Sequence, residues 1–176
     1  SNHAMSKQLR IWLFVLLGTL LASSSLLAEG VITMTTSNRV RSSITLKIKA
    51  NGYVSIDGVQ ESARTDGYGK DYTLTSQTVT IRGDVTYLNC RDNYLTSLNV
   101  TGCTALTELY CYDNRLTSLD VSGCTSLTTL ECNNNQLTSL EASGCTALTE
   151  LNCRNNPLTS INLSGCQSLK EFSWTW

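Results

Sequence analysis

The sequence predicts a mostly β protein: a solenoid of stacked coils with parallel strands, preceded by a small β-rich N-terminal cap. Three observations predict it. Residues 88–171 are four near-identical blocks of 21 residues, LNCRDNYLTSLNVTGCTALTE, LYCYDNRLTSLDVSGCTSLTT, LECNNNQLTSLEASGCTALTE and LNCRNNPLTSINLSGCQSLKE, and self-similarity at such a period is the signature of a repeat architecture. Each block opens apolar–polar–apolar, the period of a strand. The non-repetitive stretch ahead of the blocks alternates as well, most clearly in ITLKIKA (Ile44–Ala50). No single coil can bury its own leucines, so the coils must stack, and about three or more are needed.

Taken in order, residues 1–4 read as a tag remnant ahead of Met5 and carry the sole histidine, His3. Residues 5–28 read as a secretory signal peptide: Lys7 and Arg10 supply the positive start, Ile11–Ala22 the apolar run, and Ala28 a small residue suited to cleavage. An uncleaved anchor is the alternative, disfavoured by the short core and three consecutive serines, since a membrane span wants about 20 apolar residues.

Residues 29–83 are expected to form the β-rich cap. Asn51-Gly52 reads as a hairpin turn. A three-residue loop with Gly52 left-handed would set Ile48 against Val54 and Leu46 against Ile56, keeping apolar residues on one face. Asp71–Ile81 reads as a further extended stretch leading into RGDVTYL, a shortened repeat that joins cap to coil, and the cap is expected to pack against the first strand and protect its edge. Arg82-Gly83-Asp84 spells an integrin-type tripeptide and Asp66–Asp71 has a faint calcium-loop flavour. Each is expected to be chance, the second because the acidic spacing and closing Glu of a calcium loop are missing.

Residues 84–176 hold the repeats: 88–108, 109–129, 130–150, 151–171 and a partial copy at 172–176. Block positions 1, 8, 11 and 19 are leucine apart from Ile161. Position 3 is Cys90, Cys111, Cys132, Cys153; position 6 is Asn93, Asn114, Asn135, Asn156; position 16 is Cys103, Cys124, Cys145, Cys166. An asparagine column ending the strands can satisfy turn backbone groups that no strand pairs. The glycine before the second cysteine suits a positive φ or tight packing. The back of each coil has no helical period and is expected to be turns or short 3₁₀ pieces. Phe172, Trp174 and Trp176 are expected to plug the last coil, or to begin a further repeat.

The pattern L-x-C-x-x-N-x-L followed by T-S-L-x-V-S-G-C-x-x-L resembles the leucine-rich repeat, in the cysteine-containing bacterial form of the internalin type. The resemblance covers about residues 84–176. It implies a concave binding face made by the strands, and a role in adhesion or host contact. Internalins carry a helical cap, from which this chain departs.

Eight cysteines in an exported chain suggest disulfides by default. Here they alternate at intervals of 13 and 8 residues, so each column repeats at one place in every coil with side chains parallel, poor geometry for a bridge. Two ladders of buried, reduced thiols are expected. No metal site and no cofactor are expected, for lack of histidine or C-x-x-C spacing.

After residue 28 the chain has 11 basic and 14 acidic side chains, and residues 83–176 carry 4 and 9. An acidic repeat half disfavours nucleic acid. Catalysis is not expected, because no base stands ready for a nucleophile. Block positions 2, 4, 5 and 7 point outward and vary. They supply the candidate ligand-binding residues Arg91, Asp92, Tyr94, Tyr110, Tyr112, Asp113, Arg115, Glu131, Asn133 and Arg154, rich in the Tyr and Arg of binding hot spots; the plainer reading is an ordinary solvated strand surface. The expectation is therefore an exported protein (secreted, periplasmic or cell-surface) and a monomer. It would bind a protein or surface glycan, and touch membrane only through residues 5–28 if uncleaved. The alternative is a structural module that associates with its own copies through a strand edge or the aromatic end.

Overall fold

The computed structural model describes residues 30–175; the expected tag, signal segment and Trp176 lie outside them. Twelve strands fill this region: β1 (Val31–Thr36), β2 (Ser43–Asp57), β3 (Lys70–Thr73), β4 (Thr78–Asn89), β5 (Leu95–Asn99), β6 (Glu108–Tyr110), β7 (Ser118–Asp120), β8 (Thr129–Glu131), β9 (Ser139–Glu141), β10 (Glu150–Asn152), β11 (Ser160–Asn162) and β12 (Glu171–Ser173).

In the repeat half, the leucine that opens each block lies on its counterpart in the next. Leu88, Leu109, Leu130, Leu151 and Phe172 pair in sequence along the parallel ladder β4-β6-β8-β10-β12. Strands in register keep the same residue type inward coil after coil, so the core is a stack of leucine and cysteine layers, nearly all fully buried. The back of the coil differs from expectation. It is a second parallel ladder, β7-β9-β11, with Leu119, Leu140 and Ile161 in register, followed by turns. Its signal was the two-residue spacing of Leu119 and Val121 between exposed Ser118 and Asp120, a strand period.

Four residues after each of β4, β6, β8 and β10 stands the asparagine column, buried in every coil. Asn114 Nδ2 donates to Cys90 O at 3.1 Å and Cys111 O at 3.0 Å, while its Oδ1 accepts from the N–H of Asn93 at 3.1 Å and Leu95 at 2.9 Å. Asn135 and Asn156 repeat the donations one and two coils on. One side chain thus serves four buried backbone groups on two coils; the carbonyls also accept from Asn93 and Asn135, while the two N–H groups depend on Asn114 and unpaired would cost about 1–3 kcal/mol each.

The cap is antiparallel. β4 takes β1 on one edge, with Ile32 opposite Ile81, and β2 on the other, with Ile48 opposite Leu88 and Ile56 opposite Ile81. The second edge of β1 pairs with β5. One strand therefore joins the front of the first coil to its back and closes that end of the solenoid.

The hairpin expected at Asn51-Gly52 is absent. β2 runs straight through, and the register shifts between Asn51 and Ser55 mark a bulge. Gly52 does have φ 81°, but it serves the bulge rather than a reversal. Ile48 therefore does not meet Val54, nor Leu46 Ile56. The inward residues Ile44, Leu46, Ile48 and Val54 keep one phase across the bulge, and β4 is long enough to pair both halves. The bulge in turn fixes Gly83 (φ 142°) on β4, where a Cβ would lie 2.8 Å from Tyr53 O. The stretch Asp71–Ile81 is likewise divided, by a turn between β3 and β4.

All eight cysteines are free and seven are buried. Desolvation pushes the Cys90 thiol up to about 12 and that of Cys111 well above its ordinary value. The columns pack into the core as buried, protonated thiols.

Of the expected aromatic plug, Trp176 lies outside the described residues, and the other two rings are not buried. Phe172 takes the leucine place on β12 yet stays 39% exposed, and Trp174 is 51% exposed. Ile161, Leu163, Cys166 and Leu169 are only partly buried, whereas their counterparts in the inner coils are covered.

Candidate functional site

Outward side chains of the front ladder form a continuous face. The cap extends it, because β2 pairs with β4 and sets Lys47 beside Asn89 and Lys49 beside Tyr87. The next strand brings Tyr110 beside Asn89, then Glu131.

Aromatic rings gather where cap meets coil. Tyr87 and Tyr110 are 5.5 Å apart between ring centroids, tilted by 46°. Lys49 Nζ stands 5.2 Å over the Tyr87 ring. The Arg91 guanidinium lies 5.6 Å over Tyr112 and its Nη1 donates to the Tyr112 hydroxyl at 2.8 Å. The same hydrogen bond raises the guanidinium's already high pKa. Tyr110 donates its hydroxyl to Glu108 Oε1 at 3.3 Å. Desolvation, reinforced by the Glu108 carboxylate, pushes its pKa up to about 12, so it is a neutral hydrogen-bonding group. Cations stacked on rings in this way hold both partners in one geometry.

Of the residues singled out from sequence, Arg91, Tyr110 and Tyr112 come together with Tyr87 and Lys49. Tyr94 and Arg115 form a separate pair in the adjacent turn: Arg115 stacks 4.8 Å over Tyr94 and reaches Ser37 Oγ of the cap at 3.3 Å. Asp92 and Asp113 sit in the turn after the strand with φ of 53° and 55°. Asp113 Oδ1 accepts from Asn134 Nδ2 at 2.7 Å, a contact that serves the turn. Glu131 and Asn133 lie on the next coil, and Arg154 one coil further. Asn133 Oδ1 is the single buried side-chain polar atom without a hydrogen-bond partner among the described residues. A hollow of about 220 Å³ opens between Thr45, Lys47, Asn89, Arg91 and Asp92.

Tyr87, Lys47 and Lys49 were missed from sequence. Tyr87 immediately precedes a block-opening leucine and so must point outward, a signal that was available. The two lysines reach the face only through the pairing of β2 with β4, which no local pattern announces.

The comparisons bear on the coil. The family model described as Leucine Rich repeats (2 copies) matches residues 104–144 and 125–165, within the ladders described above. The coil is a β-solenoid of about 21-residue parallel repeats that is similar to leucine-rich repeats over residues 104–165. No curated protein and no solved structure matches the chain. Leucine-rich-repeat domains generally serve as protein-interaction modules and are usually non-catalytic, and no catalytic family is found.

Proposed function

We propose that this chain is an exported bacterial leucine-rich-repeat protein, of internalin-like role in adhesion or host contact, whose strand face binds a protein or a surface glycan. The observations that carry the binding reading are Tyr87 stacked with Tyr110 under Lys49 on the sheet, and Tyr112 stacked with Arg91 just beyond the strand ends. Rings already held by stacking lose little entropy on contact, and Tyr and Arg are the residue types that dominate interface energies. Export is supported by the signal-like sequence of residues 5–28.

The test is to isolate a surface-extract component that binds the immobilised chain, identify it, and measure its affinity for the native chain and for Tyr110→Ala/Tyr112→Ala. We expect at least a tenfold loss, about 1.4 kcal/mol. An unchanged affinity with the fold intact would remove the strand face as the site.

A further inference from the structure

We infer that the hollow where the cap meets the first coil takes the acidic end sugar of a glycan, its charged group met by Lys47 and Arg91. The inference rests on the reading of the strand face as a binding surface and narrows it to one ligand class.

Charge points to the anion. β2 sets Lys47 beside Asn89 and Lys49 beside Tyr87, and Arg91 follows the end of β4 at Asn89 by two residues. The single ion pair among the described residues is Arg64 with Asp66. Lys49 stands over a ring, and Arg91 over a ring whose hydroxyl it also bonds. None of the three cations is paired with a carboxylate. Cations gathered without an acid partner favour an anionic ligand.

The walls point to a sugar. The hollow of about 220 Å³ is lined by Thr45, Lys47, Asn89, Arg91 and Asp92. No wholly apolar side chain is among them, so it is not a pocket for the apolar anchor of a protein interface. Asn89 Oδ1 accepts from the Arg91 N–H at 3.1 Å, which leaves Nδ2 as a donor. The Asp92 carboxylate accepts no hydrogen bond among the described residues. A ligand with one anionic group and several hydroxyls suits both signs: the anion takes the cations, and a hydroxyl donates to Asp92. An acidic peptide sets further carboxylates against Asp92, and like charges repel.

The coil limits how much charge the ligand carries. Along the row from Lys47, Asn89 is followed by Tyr110 and Glu131; along the row from Lys49, Tyr87 is followed by Glu108. Positive charge gives way to negative within a few strands, at about 4.8 Å each. A polyanion laid across the face would meet Glu108 and Glu131. A single acidic sugar ending a neutral glycan does not, and its neutral remainder lies over Tyr110, a ring with an apolar body and a polar tip.

Calorimetric titration of the native chain decides, with lactose, lactose ending in a sialic acid, lactose ending in a glucuronic acid, and a tetraglutamate peptide as probes. At least one acid-ended sugar should bind at least tenfold more tightly than lactose and than the peptide, and salt should weaken it. Lys47→Gln removes a side chain with no partner in the protein, so the fold should keep its circular dichroism spectrum while the advantage over lactose shrinks at least threefold. Acid-ended sugars no tighter than lactose, a peptide bound as tightly as the better sugar, or an advantage unchanged in Lys47→Gln and in Arg91→Gln would overturn the inference. The strand-face reading is scored separately. A surface-extract ligand lost in Tyr110→Ala/Tyr112→Ala but held by Lys47→Gln keeps the face and removes the acidic end sugar.

Discussion

The cap and the solenoid solve the same problem by opposite means. In the coils every inter-strand partner lies 21 residues away, as in Leu109 against Leu130, and one solution is copied four times. In the cap each pairing is made once and between distant segments, such as Met34 with Leu98 and Ser43 with Thr73. Yet the cap offers the first coil what another coil would offer. Asn93 Nδ2 donates to Thr45 O at 2.8 Å, where Asn114 donates to Cys90 O. Cys103 Sγ lies 3.7 Å from Val31 O, where Cys124 Sγ lies 3.4 Å from Val100 O. The comparison teaches that an end coil needs particular backbone acceptors as well as apolar cover, and that strands of unrelated sequence can supply them.

The largest effect should come from removing the side chain that serves two coils at once. Asn114→Leu leaves the N–H groups of Asn93 and Leu95 and the carbonyls of Cys90 and Cys111 without that partner. A loss of about 4 kcal/mol or more is expected, read from the urea midpoint at constant slope. A loss under about 1 kcal/mol would mean that the column is ornamental and that leucine stacking alone holds the coils.

Alkali should separate the two halves next, because every cysteine lies in the coils. Burial raises the thiols of Cys90, Cys111 and Cys132 above the ordinary 9.0. Above pH 9 the unfolded chain releases these protons and the folded chain keeps them. Stability is thus full below pH 9 and falls as pH rises toward the folded values. The slope is about 1.4 kcal/mol per pH unit for each fully buried thiol. Urea titrations between pH 8 and 10 should show this fall, and Cys111→Ala should flatten it even though it starts less stable. A flat profile in the native chain would deny that the ladder is buried and reduced.

How much was legible follows from the same contrast. Four copies made the inward leucines, the cysteine columns and the asparagine column readable, because any error would have had to repeat. The second ladder was also written there, in Leu119 and Val121 at spacing two, but a short strand between turns gives only one alternation to read. In the cap, alternation from Ile44 to Ile48 was readable and the partner was not. Asn51-Gly52 fits a bulge as well as a turn, and only the length of β4 decides between them. The binding face divides likewise: Arg91, Tyr110 and Tyr112 follow from the repeat, while Lys49 arrives through a pairing nearly forty residues apart.

Two glycines sharpen the contrast at smaller cost. Gly83 faces the cap bulge, and a methyl group there meets Tyr53 O at 2.8 Å and Val54 Cγ2 at 3.0 Å. Gly83→Ala should cost about 3 kcal/mol, from backbone strain plus a clash that must move a paired strand. Thermal unfolding of the variant against the parent measures it. An effect under about 1 kcal/mol would show that the bulge gives way easily.

Gly102 is the matched position in the coil, with φ 76° but nothing within 4 Å of a Cβ. Gly102→Ala should therefore cost only the left-handed backbone penalty, about 1 kcal/mol, and leave both ladders in place. Measured beside Gly83→Ala in the same denaturant series, the difference reports the clash at Gly83 together with the greater strain of φ 142° over φ 76°. If Gly102→Ala proved as costly as Gly83→Ala, the turn before the second cysteine column would be as tightly constrained as the cap bulge. The first coil would then owe its conformation to the turn itself rather than to the neighbours stacked on it.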